Sequence, residues 1–454
     1  ADVVVVNHHL LLADFAIKEE GFGELLPAAD ACIIDEAHQL PDVASQFFGV
    51  AVSTRQLRNL VRDTQAELLD NGHSEAQWRI APDELSAAID ATTLQWARQP
   101  GRQLWPDNKA AAETISLLQQ RLGELADMLA GLEGTSAGLD QCHERTRELA
   151  ARLTQFDPGN EDGDAGLRWL DGYRRGFSLH LTPFDVAERL GELMSQLPAT
   201  WILTSATLAV GDDFSHFIAR LGITDAQCLK LDSPFNFERN SLLMLPNNMP
   251  APNDPGYIDA VCEQALAAIE LAGGGAFVLF TSHRALREAA QRFAPGGAFA
   301  LDYPVLAQGS APRAQLLEQF RNAGNAVLLG TSSFWEGVDV RGTALRLVVI
   351  DKLPFASPGD PLMQARLEAI RRAGQNPFST YQLPQAVLTL KQGVGRLIRD
   401  RNDFGVAMLC DPRLKSKSYG RVFLSSLPPM PVTDDLDAVA RFYMDAIPGQ
   451  QVML

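Results

Sequence analysis

The stretch that most constrains this chain is Ala31-Cys32-Ile33-Ile34, four mostly apolar residues that run directly into Asp35-Glu36-Ala37-His38. An aliphatic run without polar alternation reads as a strand buried in a parallel sheet, and in open α/β sheets ligands sit at the carboxyl ends of the strands. Two adjacent carboxylates at that edge suit magnesium and water. Asp35 can hold a hydrated Mg²⁺ that bridges nucleotide phosphates, and Glu36 can take a proton from the attacking water. His38 is then placed to sense the state of the phosphate. The same four residues also fit a strand ending in a solvated acidic turn, so the rest of the chain has to decide between the two.

A chain of 454 residues predicts two or three domains with ample buried core. No wholly aliphatic run, Val3 to Val6 among them, comes near the roughly 20 residues a spanning helix needs, so no membrane segment is expected. The net charge of −17 argues against a protein that coats nucleic acid with its whole surface, while leaving room for a local basic groove. Cys32, Cys142, Cys228, Cys262 and Cys410 lie far apart with no C-x-x-C pair, which points away from zinc or a sequence-local iron–sulfur site and toward buried thiols in a reducing cytoplasm. The sequence opens on Ala1 rather than Met and enters an apolar run almost at once, as expected of a fragment or a processed product.

In chain order, Asp2 to Val6 predicts a strand and Leu10 to Ile17 a helix. His8 and His9 between them read as turn or capping residues, because no third ligand stands at helical spacing. From Ser53 to Gly176 the pattern is helical without clear strands. Ile115, Leu118, Leu122, Leu125, Leu129 and Leu132 recur at three- and four-residue intervals, and Leu139, Cys142, Thr146, Leu149, Leu153 and Phe156 continue the spacing after a glycine break, as in an antiparallel helical hairpin. Pro158 to Asp164 reads as a flexible acidic loop. The helical stretch is either a structural insertion or an arm beside a substrate channel. A strand at Thr200 to Leu203 then enters Thr204-Ser205-Ala206-Thr207-Leu208, small hydroxyl residues that exchange hydrogen bonds at little steric cost. Asp232 to Pro255, rich in proline and asparagine, reads as the interdomain linker.

A second α/β pattern comes next. Ala276 to Phe280 is a strand entering Thr281 and Ser282, and Val327 to Leu329 is a strand ending in Gly330-Thr331-Ser332-Ser333-Phe334-Trp335-Glu336-Gly337-Val338-Asp339. Gly, Thr and Ser at a strand end approach a phosphate backbone closely, and Glu336 and Asp339 can accept bonds from a ribose or an arginine. Trp335 either stacks a base or packs in the core. Leu345 to Ile350 is another strand. A helix opening near Pro384 carries Gln392-Gly393-Val394-Gly395-Arg396-Leu397-Ile398-Arg399, whose arginines, three residues apart on one helical face, can both reach a single anion.

The ordered set resembles superfamily 2 helicases of the XPD/DinG-like group, and within it the bacterial YoaA type. Asp35 to His38 is similar to the family's motif II, Thr204 to Leu208 to motif III, Gly330 to Asp339 to motif V and Gln392 to Arg399 to motif VI, in the family's order and across nearly the whole chain. The resemblance implies an α/β fold of two RecA-like domains, the first incomplete at its start, with an inserted all-helical Arch-like domain. The implied division is 1–52 and 177–231 for the first RecA-like domain, 53–176 for the insertion, 232–255 for the linker and 256–454 for the second RecA-like domain. It also implies ATP and Mg²⁺, with Asp35, Glu36, His38, Arg396 and Arg399 catalytic and with Gln392, Gly395, Gly337 and Asp339 binding ATP. Ser205, Ala206, Thr207, Thr281, Ser282, Thr331 and Trp335 would couple hydrolysis to DNA.

The implied partner is single-stranded, forked or damaged DNA, tracked 5′ to 3′ by a monomer in the bacterial cytoplasm, in repair or replication. The chain departs from the family in two respects. No G-x-x-x-x-G-K-[ST] phosphate loop occurs in it, and the four cysteines of the family's [4Fe-4S] cluster have no counterpart. Helicase activity is therefore expected of a longer parent protein. This polypeptide alone is expected to be ATPase-deficient, and a nucleic-acid-binding or interaction module without turnover is the alternative.

Overall fold

The computed structural model describes residues 2–19, 25–98, 101–105, 109–157, 166–331, 334, 340, 342–356 and 360–446. The chain forms two compact units, one of Ala1–Thr204, Ile218–Thr224 and Ser357–Gln375, the other of Ser205–Phe217, Asp225–Ala356 and Asn376–Leu454.

The first unit is organised by β1 (Ala31–Ile34), which lies beside a strand 169 residues further on, Thr200–Leu203, in parallel and in the register Ala31 to Thr200 through Ile34 to Leu203. Helix α1 (His8–Glu19) covers one side of this pair. Its Leu12 and Phe15 are buried, and the Phe15 ring meets Trp201 edge-on at 6.0 Å. Asn7 caps this helix, its side-chain oxygen accepting from the Leu10 N–H at 2.8 Å. The pair departs from the sequence reading in its burial: register partners Ile33 and Ile202 are 68% and 45% exposed. A parallel sheet is buried on both faces only where elements cover both. Asp2 to Val6 is likewise not a strand. It forms no ladder with any described residue, and Val3 to Val5 are exposed, since an extended segment needs a neighbour to pair its backbone.

Between those two strands lies the insertion. After α2 (Leu40–Phe47) and β2 (Val50–Ser53), α3 (Thr54–Asp70) and α4 (Ala76–Trp96) pack against the hairpin of α5 (Lys109–Ala130) and α6 (Ala137–Thr154). Ser53 opens α3 with a capping box, accepting from the Gln56 N–H while the Gln56 side chain accepts from the Ser53 N–H. Every leucine of the expected seam, from Leu118 to Leu153, is buried. Those leucines share one core with Leu57, Leu60, Leu85 and Ile89 of α3 and α4, so the hairpin is one half of a helical body.

The insertion is not all-helical. Strand β2, β3 (Gly101–Leu104), β4 (Gly166–Tyr173) and β5 (Gly176–Pro183) form an antiparallel sheet in the order β2-β5-β4-β3. These strands escape a sequence reading because two are only four residues long and β4 and β5 interleave Arg168, Asp171, His180 and glycine with their apolar positions. The helix Pro361–Arg372 packs on β3 and β4. The acidic loop expected at Pro158 to Asp164 lies outside the described residues. Helix α7 (Ala187–Gln196) then leads into β6, the Thr200–Leu203 strand.

The second unit is a seven-stranded, wholly parallel sheet. Its strands are β7 (Ser241–Met244), β8 (Ala276–Leu279), β9 (Val305–Ala307), β10 (Val327–Gly330), β11 (Leu347–Ile350), β12 (Gly405–Leu409) and β13 (Val432–Thr433), in the order β13-β7-β12-β11-β8-β10-β9. Alternate residues feed two cores. Phe277, Leu328, Val348, Ala407 and Leu243 face the helices Arg313–Ala323 and Leu383–Val394. Val278, Leu329, Val349, Met408 and Leu242 face Tyr257–Ala272 and His283–Phe293. Burial on both faces is why these strands read as unbroken aliphatic runs. Strand β7 falls inside the stretch read as a linker. Its four residues are all buried in the sheet, and proline and asparagine on either side conceal them in the sequence.

Candidate active site

The carboxyl end of β1 turns abruptly at Glu36, a non-glycine residue in the left-handed region (φ 48°, ψ 43°). Such a conformation costs an ordinary residue roughly 1–2 kcal/mol and persists only where its surroundings over-determine it. Here they do. The Ala37 N–H donates to Thr204 O at 3.0 Å, the Thr204 N–H to Ile34 O at 2.8 Å and the Gln39 N–H to Glu36 O at 3.0 Å. One carboxyl oxygen of Asp35, Oδ1, accepts from the Glu36 N–H at 2.9 Å and from the Thr204 hydroxyl at 3.2 Å. The His8 ring Nε2 lies 2.9 Å from the Asp35 carbonyl oxygen. His38 Nδ1 stands 3.3 Å from Glu36 Oε2, tying the third residue of the set to the second.

This edge fits a magnesium ion. Mg²⁺ is usually held by one or two carboxylates and substrate phosphates while keeping several waters. Asp35 Oδ1 is fixed by two donors, and Oδ2 carries no hydrogen bond among the described residues. The cysteines do not fit an iron–sulfur cluster. None of the five is in a disulfide, and they lie on separate segments of the chain, with Cys142, Cys262 and Cys410 buried and Cys228 exposed.

Ser205, Ala206 and Thr207 belong to the second unit. The Ser205 hydroxyl accepts from the Thr207 N–H at 3.1 Å, and Gln392 Nε2 donates to Thr207 Oγ1 at 3.4 Å. The structure thus brings two of the expected segments together within this unit. The arginines differ from the sequence reading. The helix Leu383–Val394 stops with Gly395 as its C-cap, its N–H bonded to Lys391 O, so Arg396 and Arg399 lie in the turn beyond and do not share a helical face. Glycine lowers helix propensity, and two of them close together favour the stop. Arg396 is 8% exposed, and the Arg399 N–H donates to Asp403 Oδ2 at 2.7 Å.

Thr281 and Ser282 come after β8, where the Ser282 hydroxyl caps the helix His283–Phe293 by accepting from the Ala285 N–H at 3.2 Å. Thr331 is buried after β10, and its N–H and hydroxyl both donate to Gln308 Oε1, at 2.7 and 3.0 Å. Trp335, Gly337 and Asp339, with Ser332, Ser333 and Glu336, lie outside the described residues.

Sequence reasoning missed three carboxylates that hold these loops. Asp403 gathers the turn after Arg399, accepting from the Arg399, Asp400 and Gly342 N–H groups at 2.7 to 2.9 Å. Asp351, fully buried at the end of β11, accepts from the Thr281 N–H at 3.0 Å and the Lys352 N–H at 2.7 Å. Burial pushes its carboxyl up to about 7 despite the Lys352 charge and these N–H bonds. Asp411 pairs with Arg413 at 2.6 Å and accepts from the Leu353 N–H at 2.9 Å. Two of the three carry a sequence signal: Leu347 to Asp351 and Val406 to Asp411 repeat the pattern of an aliphatic run entering an acid that singled out Asp35. Lys391, beside Gln392, is held below the usual lysine range by burial and secondarily by Lys230.

Solved structures share this architecture. An XPD helicase superposes over 92% of this chain and 71% of its own with a TM-score of 0.57 at 16% identity, and S. tokodaii Xpd4 over 93% and 80% with 0.56 at 16%. The fold is that of an XPD-like helicase with RecA-like domains. A family model described as a helicase C-terminal domain matches residues 265–430. The ATP-dependent DNA helicase YoaA of Escherichia coli K12 is 46% identical over 99% of this chain and 70% of its own length, and YoaA of Haemophilus influenzae is 43% identical over 97% and 69%. The protein named 3′-5′ exonuclease DinG in Bacillus subtilis is 28% identical over 98% of this chain and 53% of its own. The chain belongs to the family of the YoaA and DinG helicases.

Proposed function

We propose that this chain carries the hydrolytic and coupling residues of an ATP-dependent DNA helicase. The observation that carries the reading is the Asp35–Glu36 pair at the carboxyl end of β1, where the Thr204 hydroxyl fixes one Asp35 oxygen and the left-handed Glu36 leaves its carboxylate exposed. Magnesium, when bound with nucleotide, would neutralise phosphate charge. Asp35 would hold that ion through water, and Glu36 would accept the proton of the water that attacks the γ-phosphate, with His38 orienting Glu36. Arg396 and Arg399 would stabilise charge on the transferring phosphoryl group, with Gln392 and Gly395 beside them and with Gly337 and Asp339 on the nucleotide. Thr207, bonded to Gln392, would report nucleotide state to the DNA-contacting set of Ser205, Ala206, Thr281, Ser282, Thr331 and Trp335.

The names of the relatives support DNA as the substrate. Movement 5′ to 3′ on single strands, action on forked or damaged DNA in repair or replication, a monomeric state, a cytoplasmic site and a [4Fe-4S] cluster in the parent protein rest on the family resemblance.

The missing G-x-x-x-x-G-K-[ST] sequence favours one further reading for the isolated polypeptide, binding without turnover, since the lysine and backbone cradle for the β- and γ-phosphates would have to come from residues outside this sequence. The test is ATP hydrolysis with saturating single-stranded DNA, measured on residues 1–454 and on a longer protein that adds a phosphate loop. The longer protein should turn over at about 1–100 per second, and this chain should not. A silent longer protein would overturn the helicase reading, and turnover by residues 1–454 would overturn the account of the phosphate loop.

A further inference from the structure

The chain is strongly acidic, yet one part of its inserted domain is not. Between Ser53 and Arg62 there are three arginines and no acid. Arg55, Arg58 and Arg62 recur at helical spacing on α3 and lie opposite the buried face of Leu57, Leu60 and Val61, each of the three exposed to solvent. Next to them in space is the turn of the β4–β5 hairpin, which carries exposed Arg174 and Arg175 and, directly before them, Tyr173 at 47% exposure.

The two elements are pinned together. The Thr54 hydroxyl donates to Phe177 O at 3.2 Å and accepts from the Phe177 N–H at 2.8 Å, while Arg58 Nη1 donates to Arg175 O at 3.4 Å. Gly176 packs on Thr54 so closely that an added Cβ would stand 3.3 Å from it. The hairpin tip is therefore presented by a rigid base.

Nearby carboxylates neutralise only part of this charge. Asp90 pairs with Arg58 at 2.8 Å, and Asp63 pairs with Arg145 at 2.9 Å and lies 3.5 Å from Arg62. Asp171 accepts from the Tyr173 hydroxyl at 3.1 Å and is the register partner of Arg102, whose guanidinium covers the Trp169 ring at 4.7 Å. Among the described residues, no carboxylate pairs with Arg55, Arg174 or Arg175.

We propose that the first turns of α3 and the β4–β5 tip form a binding surface for single-stranded DNA, in which Arg55, Arg62, Arg174 and Arg175 contact successive phosphates and the Tyr173 ring stacks a base. Sequence-independent binding of single strands combines a basic track with exposed aromatic faces, and this is the combination present here. An acidic protein segment would use the arginines but not the aromatic face. The choice of ligand rests on the helicase reading, and the surface is built from residues other than those at the carboxyl edge of β1.

The test titrates residues 1–454 with a fluorescein-labelled oligo-dT strand over a range of salt. Arg55→Gln, Arg62→Gln, Arg174→Gln and Arg175→Gln together should weaken binding at least tenfold at low salt. The slope of log K against log salt should flatten by roughly two to three, at about 0.7 for each phosphate no longer neutralised. The corresponding four Arg→Lys changes should restore most of the slope, which a folding defect would not allow, and Tyr173→Ala alone should weaken binding several-fold with the slope unchanged. An unaltered slope in the glutamine variant while wild type binds would overturn this surface and leave the helicase reading intact. Polyglutamate competing as well as unlabelled oligo-dT would overturn the choice of single-stranded DNA, and failure of the wild-type chain to bind oligo-dT would overturn this surface, leaving the helicase reading to the hydrolysis test on the longer protein.

Discussion

Gln392 Nε2 donates to Thr207 Oγ1 across 185 residues of sequence, joining the turn after β6 to the helix that precedes Arg396. At 3.4 Å the bond is long, and a net contribution near 1 kcal/mol is the reasonable scale. If it transmits nucleotide state, Thr207→Val and Gln392→Ala in the longer protein should each lower strand separation more than DNA-stimulated ATP hydrolysis. Their double variant should be little worse than either, with a coupling of about 1 kcal/mol. Strict additivity would show that the bond carries no coupling.

Arg396→Ala or Arg399→Ala in the longer protein should leave single-strand binding within a few fold and lower ATP turnover by roughly 10³, the scale of losing an arginine finger. Lysine should rescue poorly, because it lacks the planar fork that spans two phosphate oxygens. Asp403→Ala, which removes the acceptor of the Arg399 N–H, should reproduce part of the Arg399 defect. Turnover near wild type in both alanine variants would reduce these arginines to structural residues of the turn.

How much of the fold and site was legible in sequence depends on the range of the interactions involved. Strand β1, β6 and the hairpin seam were readable because a few neighbouring side chains suffice to specify them: an aliphatic run, or leucines at three- and four-residue spacing. The site residues Asp35 and Glu36 stood out by position at a strand end, but the left-handed turn at Glu36 depends on Thr204, far along the chain, and has no local signature. The second sheet hid β7 because the flanking prolines outweigh four apolar residues in any local count. Helical periodicity carried the reading of Gln392 through Arg399 past its true end, where Gly395 stops the helix and Asp403 shapes the turn beyond it.

The insertion should behave as one cooperative body. Leu122 is fully buried among residues of α3 to α6, and Leu122→Ala should cost about 2–5 kcal/mol. Replacing Ile115 to Phe156 by a short Gly/Ser loop would expose the apolar faces of α3 and α4. The insertion should then lose protection from amide exchange as a whole while the seven-stranded sheet keeps its own. Retained protection in α3 and α4 would show that the hairpin is separable.

Asp351 provides a pH signature. Its folded-state carboxyl sits near 7 against an ordinary 3.8, so between those values the folded chain holds a proton that the unfolded chain has released. Stability from this group is therefore present at low pH and lost as pH rises toward 7 and beyond. Asp351→Asn keeps the acceptor for the Thr281 and Lys352 N–H groups and removes the charge. The gain in Tm of the variant over wild type should be small near pH 4 and reach its full size by about pH 8. A difference that does not change with pH would contradict the burial argument.

The central claim is that Glu36, held in its left-handed turn beside Asp35, is the proton acceptor for ATP hydrolysis. Steady-state hydrolysis with saturating single-stranded DNA by the longer protein carrying Glu36→Gln tests it most directly, with nucleotide and DNA affinities measured on the same sample. Glutamine preserves the shape and the turn but cannot take the proton, and general-base losses of about 10²–10⁴ are expected. The account predicts turnover lowered on that scale with both affinities within a few fold of wild type. Turnover near wild type, with affinities unchanged, would contradict it.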